Sequence, residues 1–172
     1  MNFDTDCIKN KRPFFGSLNI KTSWDEEMQF LDSHPEKLID THPEKLRYYL
    51  KASHSRPSLS DWAKNVISGM EKTFYENDIS LIKFLGFGQN TDSYPWHADK
   101  MDVFLVQAIG TPMISVEKTS SEKTPIKFPP GKCVYIPRGT HHWVQPQGSR
   151  VTYSFGVERQ PDPCTYVGKH AS

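Results

Sequence analysis

Two short stretches hold the side chains whose types and spacing could do chemistry. In "SYPWHADKMDVFLVQ", Ser93 to Gln107, His97 and Asp99 stand one residue apart at the mouth of an apolar, β-prone run. Residues i and i+2 of a strand point to the same face, so one imidazole and one carboxylate would project together. That makes half a pocket for a divalent metal. A third ligand from a neighbouring strand would complete one face of an octahedron and leave the opposite positions open for substrate and oxygen, the arrangement of non-haem Fe(II) oxygenases. An HxD pair by itself also occurs as a solvated polar start to a strand.

The second stretch is "GKCVYIPRGTHHW". Gly131 opens a turn, five residues make a strand, Pro137 and Gly139 make a second turn, and His142 follows three positions after that glycine. His141 is its rival. Adjacent strand residues face opposite ways, so only one of the two can enter a pocket. His34, His42, His54 and His170 sit in expected loops or in the tail, as solvated side chains.

The elements that must position these residues change character along the chain. Up to about Asn77 the pattern reads as helix and loop. Ser23 with Glu26 forms a capping-box pattern, and Trp24, Met28 and Leu31 recur at helical spacing until Pro35. An internal echo follows, "SHPEKLID" then "THPEKLRY", read as two copies of a helix start with proline in the first turn. The longest expected helix lies in "SLSDWAKNVISGMEKTFYEN", with Ser58 and Asp61 as start signals and Leu59, Trp62, Val66, Met70 and Phe74 down one side. From Ile79 the period shortens. "ISLIKFLGF", "DVFLVQAI", "MISVE", "PIKF", "KCVYIP", "HWVQ" and "RVTYSFGV" are short β-prone runs between Gly, Pro, Asn and Ser, which predicts an all-β sandwich or barrel. One domain over 1–172 is expected, with a mainly helical layer over 1–77 and the β-barrel core over 78–160.

Composition narrows the classes of function. Twenty-one Lys and Arg against 20 Asp and Glu leave no bulk charge to favour nucleic acid or an anionic membrane. Cys7, Cys133 and Cys164 are odd in number and in no CxxC spacing, which argues against a disulfide framework or a cysteine zinc site. No stretch approaches 18 consecutive apolar residues, and the N-terminus lacks a secretory pattern. A cytoplasmic protein is the expectation.

The spacing of Gly131, Pro137, Gly139 and His142 resembles the second sequence motif of the cupin superfamily, and this likeness selects His142 over His141. The first cupin motif is matched in part by His97 and Gly110. Asp99 stands where a second histidine would be, and Val103 where four-ligand cupins carry a glutamate. These departures make residues 87–157 resemble the Jumonji-C branch of the cupins, particularly its small bacterial and ribosomal-oxygenase-like members. The resemblance implies a double-stranded β-helix, a metal triad of His97, Asp99 and His142, Fe(II) and 2-oxoglutarate as cofactors, and hydroxylation of a C–H bond. Peptide, protein or amino-acid-like substrates are implied with it.

Anchoring 2-oxoglutarate requires a cation or hydroxyls for its distal carboxylate. Relatives in this branch place a basic residue a few positions past the glycine, where this chain has Pro112 and Met113. Arg150, with Thr152 two positions on, is the best substitute, since many other 2-oxoglutarate oxygenases carry such a pair on the strand after the distal histidine. Lys83, Tyr135 and Ser154 are further candidates, and Gln107, read as lying on the strand of the metal pair, is a plausible pocket residue. Tyr94, Trp96 and Trp143 would form a substrate rim. Two other functions compete: a cupin dioxygenase or isomerase using the metal without 2-oxoglutarate, and a non-catalytic ligand-binding cupin.

Overall fold

The computed structural model describes residues 4–35, 38–42, 45–51, 59–74, 78–88, 93–117 and 124–158. From Asp78 onward the described residues form eight strands: β4 (Asp78–Gly86), β5 (His97–Ala98), β6 (Asp102–Ile109), β7 (Met113–Val116), β8 (Ile126–Lys127), β9 (Lys132–Ile136), β10 (His141–Gln145) and β11 (Arg150–Glu158). They alternate between two antiparallel sheets. β4, β6, β9 and β11 lie in the large sheet, and β5, β7, β8 and β10 form a small one in the order β5-β10-β7-β8. This alternation is the winding of a double-stranded β-helix, the architecture expected from the two motifs.

The N-terminal region is less helical than its sequence suggests. It supplies α1 (Thr5–Lys9), α2 (Trp24–Ser33) and α3 (Asp61–Thr73), but also β1 (Phe14–Ser17), β2 (Leu38–His42) and β3 (Lys45–Lys51). These three strands extend the large sheet to β1-β9-β6-β11-β4-β3-β2. Both copies of the "HPEKL" echo thus run into strands, not helices, and His42 ends β2 instead of lying in a loop. The free edge of β4 offers a full row of backbone partners, and β3 takes them from Lys45 opposite Gly86 to Lys51 opposite Ser80. A ladder of that length outweighs a local helix-start signal, particularly in a segment with Tyr48 and Tyr49. Ser58, His54 and His170 lie outside the described residues.

Two cores follow from the period-2 alternation of the central strands. Val151, Tyr153, Phe155 and Val157 of β11 pack with Leu81, Leu85, Phe104 and Val106 beneath Phe30 and Leu31 of α2 and Ala63, Val66, Ile67 and Met70 of α3. On the other face, between the sheets, Val103, Leu105, Val134 and Ile136 meet Ile114, Val116 and Phe128. The capping box on α2 forms as expected: Ser23 N–H donates to Glu26 Oε2 at 2.9 Å and Glu26 N–H to Ser23 Oγ at 3.2 Å. Glu27, next along, turns into the protein and meets Lys83 Nζ at 3.0 Å and the Tyr153 hydroxyl at 2.6 Å. Lys83 therefore spends its charge under α2, away from the barrel interior. Among the described residues no helix is long and apolar enough to cross a membrane.

Candidate metal centre

The "HADKMD" segment does not run as one strand. β5 ends at Ala98 in the small sheet and β6 starts at Asp102 in the large one, so His97 closes one sheet while Gln107 lies in the other. Asp99 sits one residue past β5, in the crossing between sheets. β10 lies beside β5 with His142 opposite His97 and His141 opposite Ala98. His142 is buried and shares the inward face of β10 with Val144, whereas His141 is exposed and bonds Glu117 through Nδ1 at 3.0 Å. The strand period thus separates the two histidines.

His97, Asp99 and His142 each offer one ligand atom, all within 4.8 Å of one another. His97 Nε2 is 3.8 Å from Asp99 Oδ1, and His142 Nε2 is 3.5 Å from Asp99 Oδ2. The tautomers follow from the other ring nitrogens. His97 Nδ1 lies 2.7 Å from the Pro95 carbonyl and His142 Nδ1 3.2 Å from the Thr140 carbonyl. A carbonyl only accepts, so each Nδ1 carries the proton and each Nε2 keeps its lone pair for a metal. Burial also holds the His142 pKa below its ordinary value, against opposing pulls from the Thr140 carbonyl and the Asp99 carboxylate. Donors about 2.1 Å from one ion and at right angles stand about 3 Å apart, so the set would have to draw together from separations of up to 4.8 Å to hold a divalent cation. Two imidazoles and one carboxylate converging in this way would suit a metal that must keep open positions.

The segments that deliver these ligands are tied together. Gly139, at φ +81°, turns the chain before β10, and its N–H donates to the Asp99 carbonyl at 3.0 Å. The neighbouring Arg138 N–H donates to Asp102 Oδ1 at 2.7 Å, and Lys11 Nζ meets Asp102 Oδ2 at 2.8 Å. Sequence reasoning passed over Asp102. The signal available was a lone carboxylate at the head of the apolar "DVFLVQ" run, three residues after Asp99.

The remaining candidates separate by sheet face. Arg150, Thr152 and Ser154 alternate with the apolar residues of β11 and so face the small sheet, as does Gln107 opposite Thr152. Arg150 is 5% exposed, and its Nε and Nη1 have no partner among the described residues. Burial lowers its pKa from the usual guanidinium value, and a guanidinium keeps its charge in proteins. Thr152 donates its hydroxyl proton to Gln107 Oε1 at 2.7 Å, while Gln107 Nε2 donates to the Ile109 carbonyl at 2.6 Å. Thr152 therefore turns only lone pairs towards a ligand. Gly110, at φ +80°, lets β11 begin where it does: a Cβ there would stand 2.3 Å from the Ser149 carbonyl oxygen and 3.1 Å from Arg150 Cα. Tyr135 lies on the opposite face, packed with Phe14 and Phe74 in the core under the helices, so it is no barrel residue. Of the expected rim, Tyr94 lies against the triad, its ring 5.4 Å from that of His97 and 6.2 Å from Phe84. Trp96 stacks on outward-facing His141, and Trp143 alternates with His142 to face outward as well.

Residues 79–163 match the family model of the JmjC domain. No curated protein sequence matches the chain. Among solved structures the chain is similar to a Pseudomonas putida prolyl-4-hydroxylase, at 13% identity and a TM-score of 0.67 over 90% of this chain and 97% of that one. It is also similar to YcfD, a ribosomal oxygenase from Escherichia coli, at 18% identity and 0.61 over 94% of this chain and 52% of that one. A structure of YcfD in complex with cobalt and 2-oxoglutarate gives 17% identity and 0.61, over 92% and 52%. This chain thus spans about half the length of YcfD. At such identities the structural likeness is one of fold, while the family match rests on the sequence that builds the barrel. The chain carries a JmjC domain across residues 79–163.

Proposed function

We propose that this protein is an Fe(II)- and 2-oxoglutarate-dependent oxygenase that hydroxylates a C–H bond of a peptide or protein side chain, or of an amino-acid-like small molecule. The observation that carries the proposal is the pairing of two features in one barrel. Three donors converge with both Nε2 lone pairs free, and a buried guanidinium on the facing sheet has its Nε and Nη1 without a partner among the described residues. A lone buried cation costs free energy unless something anionic compensates it. The distal carboxylate of 2-oxoglutarate is such a group, and Arg150 supports that role better than any residue near Pro112 and Met113.

His97, Asp99 and His142 would hold the iron, which when bound supplies oxygen activation and removal of a substrate hydrogen atom. The protein's own part is positional. The Pro95 and Thr140 carbonyls fix the two imidazole tautomers, and Asp99 would bring a negative charge to the ion. Arg150 takes the distal carboxylate, and Thr152, whose proton goes to Gln107, adds no donor to it. Tyr94, exposed at the mouth against His97, is placed to bear on a bound substrate. Prolyl hydroxylation and ribosomal oxygenation, the activities named for the similar structures, set the class of substrate to try first.

Anaerobic addition of Fe(II) and 2-oxoglutarate tests the proposal. A weak visible charge-transfer band is expected, lost in Asp99→Ala, with slow succinate release in air. Iron binding without that band points to a cupin dioxygenase or isomerase that needs no 2-oxoglutarate. Failure to bind any divalent metal leaves a ligand-binding cupin.

A further inference from the structure

One charged pair lies beside the triad without belonging to it. Asp102 is 4% exposed. Through Oδ1 it holds the Arg138 N–H, in the turn that leads to His142. The same turn is bound to the Asp99 carbonyl by Gly139. Asp102 therefore fastens the segment bearing Asp99 to the segment bearing His142. Its other oxygen takes Lys11 Nζ, from a residue 91 positions upstream and half exposed.

The backbone of Lys11 makes this contact notable. Lys11 N–H donates to the Ile8 carbonyl at 3.2 Å and Arg12 N–H to the Cys7 carbonyl at 2.9 Å, the two bonds of a Schellman motif closing α1. Lys11 occupies its left-handed position at φ 51°, where glycine is usual, and is the one described non-glycine residue with positive φ. Local chemistry disfavours lysine there. What lysine supplies and glycine cannot is the ammonium on Asp102.

We infer that Asp102 is a positioning residue of the metal centre, and that Lys11, in the N-terminal arm, sets it in place. Metal affinity then depends on a residue that touches no ligand. The inference rests on the reading of His97, Asp99 and His142 as the metal site.

Cobalt(II) alone, titrated into the full chain and followed by visible absorption, tests it beside the melting temperature of the metal-free protein. No Co(II) binding by the unaltered protein would overturn the metal reading itself. Given that binding, Asp102→Ala is expected to weaken Co(II) affinity about 10- to 100-fold, the usual effect of losing an outer-shell support. Asp102→Asn, which keeps an oxygen for the Arg138 N–H, should recover most of that loss. Lys11→Gly relieves the left-handed strain, so its melting temperature should hold or rise, yet Co(II) should bind about two- to fivefold more weakly. In the Asp102→Asn background, Lys11→Gly should add nothing. Unchanged Co(II) affinity in Asp102→Ala, even with a lower melting temperature, makes the residue merely structural and overturns the inference. If that variant fails to fold, Lys11→Gly decides: affinity equal to the unaltered protein's refutes the role of the arm.

Discussion

Replacing Arg150 by methionine should move stability and cosubstrate binding in opposite directions. The guanidinium is 5% exposed, and two of its nitrogens lack partners among the described residues. A buried donor left unpaired costs about 1–3 kcal/mol. Methionine keeps most of the aliphatic stem and removes the charge. After allowing for the packing lost with the guanidinium plane, the metal-free protein should gain about 1–2 kcal/mol. For a chain of this size that is a rise in Tm of about 2–8 °C. Binding should suffer, because removing one member of a buried charge pair costs about 2–5 kcal/mol, or about 30- to several thousand-fold in Kd. Thermal and urea denaturation of the metal-free variant measure the first effect. Titration of 2-oxoglutarate in the presence of Co(II) measures the second. A less stable variant with unaltered 2-oxoglutarate affinity would refute the reasoning, since Arg150 would then be a structural cation and not an anchor waiting for its anion.

Three further outcomes follow from the geometry. Gly110→Ala places a Cβ 2.3 Å from a backbone oxygen beside Arg150 at a φ of +80°, so it should lose about 2 kcal/mol or more by denaturation and weaken 2-oxoglutarate binding together. Glu27→Ala leaves Lys83 buried without its carboxylate partner and should cost about 3–5 kcal/mol, whereas a paired Glu27→Leu, Lys83→Met variant should recover most of it in the same assay. The pKa of His142 is lowered in the folded protein, chiefly by burial, so below about pH 6.5 the unfolded chain binds the extra proton first. Stability of the metal-free protein should fall as pH drops from there through the lowered folded value. His142→Asn should flatten that part of the Tm profile, and an unchanged slope would assign the loss to other groups.

Much of the site could be read along the chain because it is written in short-range offsets. The turn–strand–turn that ends at His142 needs only strand and turn geometry to be understood, whereas the strand expected to hold both His97 and Asp99 ends at Ala98 and the crossing between sheets carries Asp99. The apolar stripe of α3 and the capping box of α2 were legible for the same reason. The "HPEKL" echo misled because its proline and preceding hydroxyl residue describe a helix start only when no sheet edge competes, and the edge of β4 does compete. Gln107 was expected on the strand of the metal pair, but the chain changes sheets between Ala98 and Asp102.

What the sequence determined on its own is the β-rich core and the rule that only one of His141 and His142 can turn inward, because each depends on the alternation of adjacent residues; the choice of His142 and the triad came from the likeness to the cupin motifs. What only the tertiary structure decided is which long polar side chain faces which core. Lys83, Tyr135 and Arg150 all sit on strands of one sheet, yet Lys83 and Tyr135 lie under the helices and Arg150 faces the metal-bearing sheet. The polar face of β11, with Arg150, Thr152 and Ser154, points into the barrel and its apolar face lies under the helices, so alternation alone does not say which face is inside. The assignment comes from packing between elements far apart in sequence, as does the reach of Lys11 to Asp102.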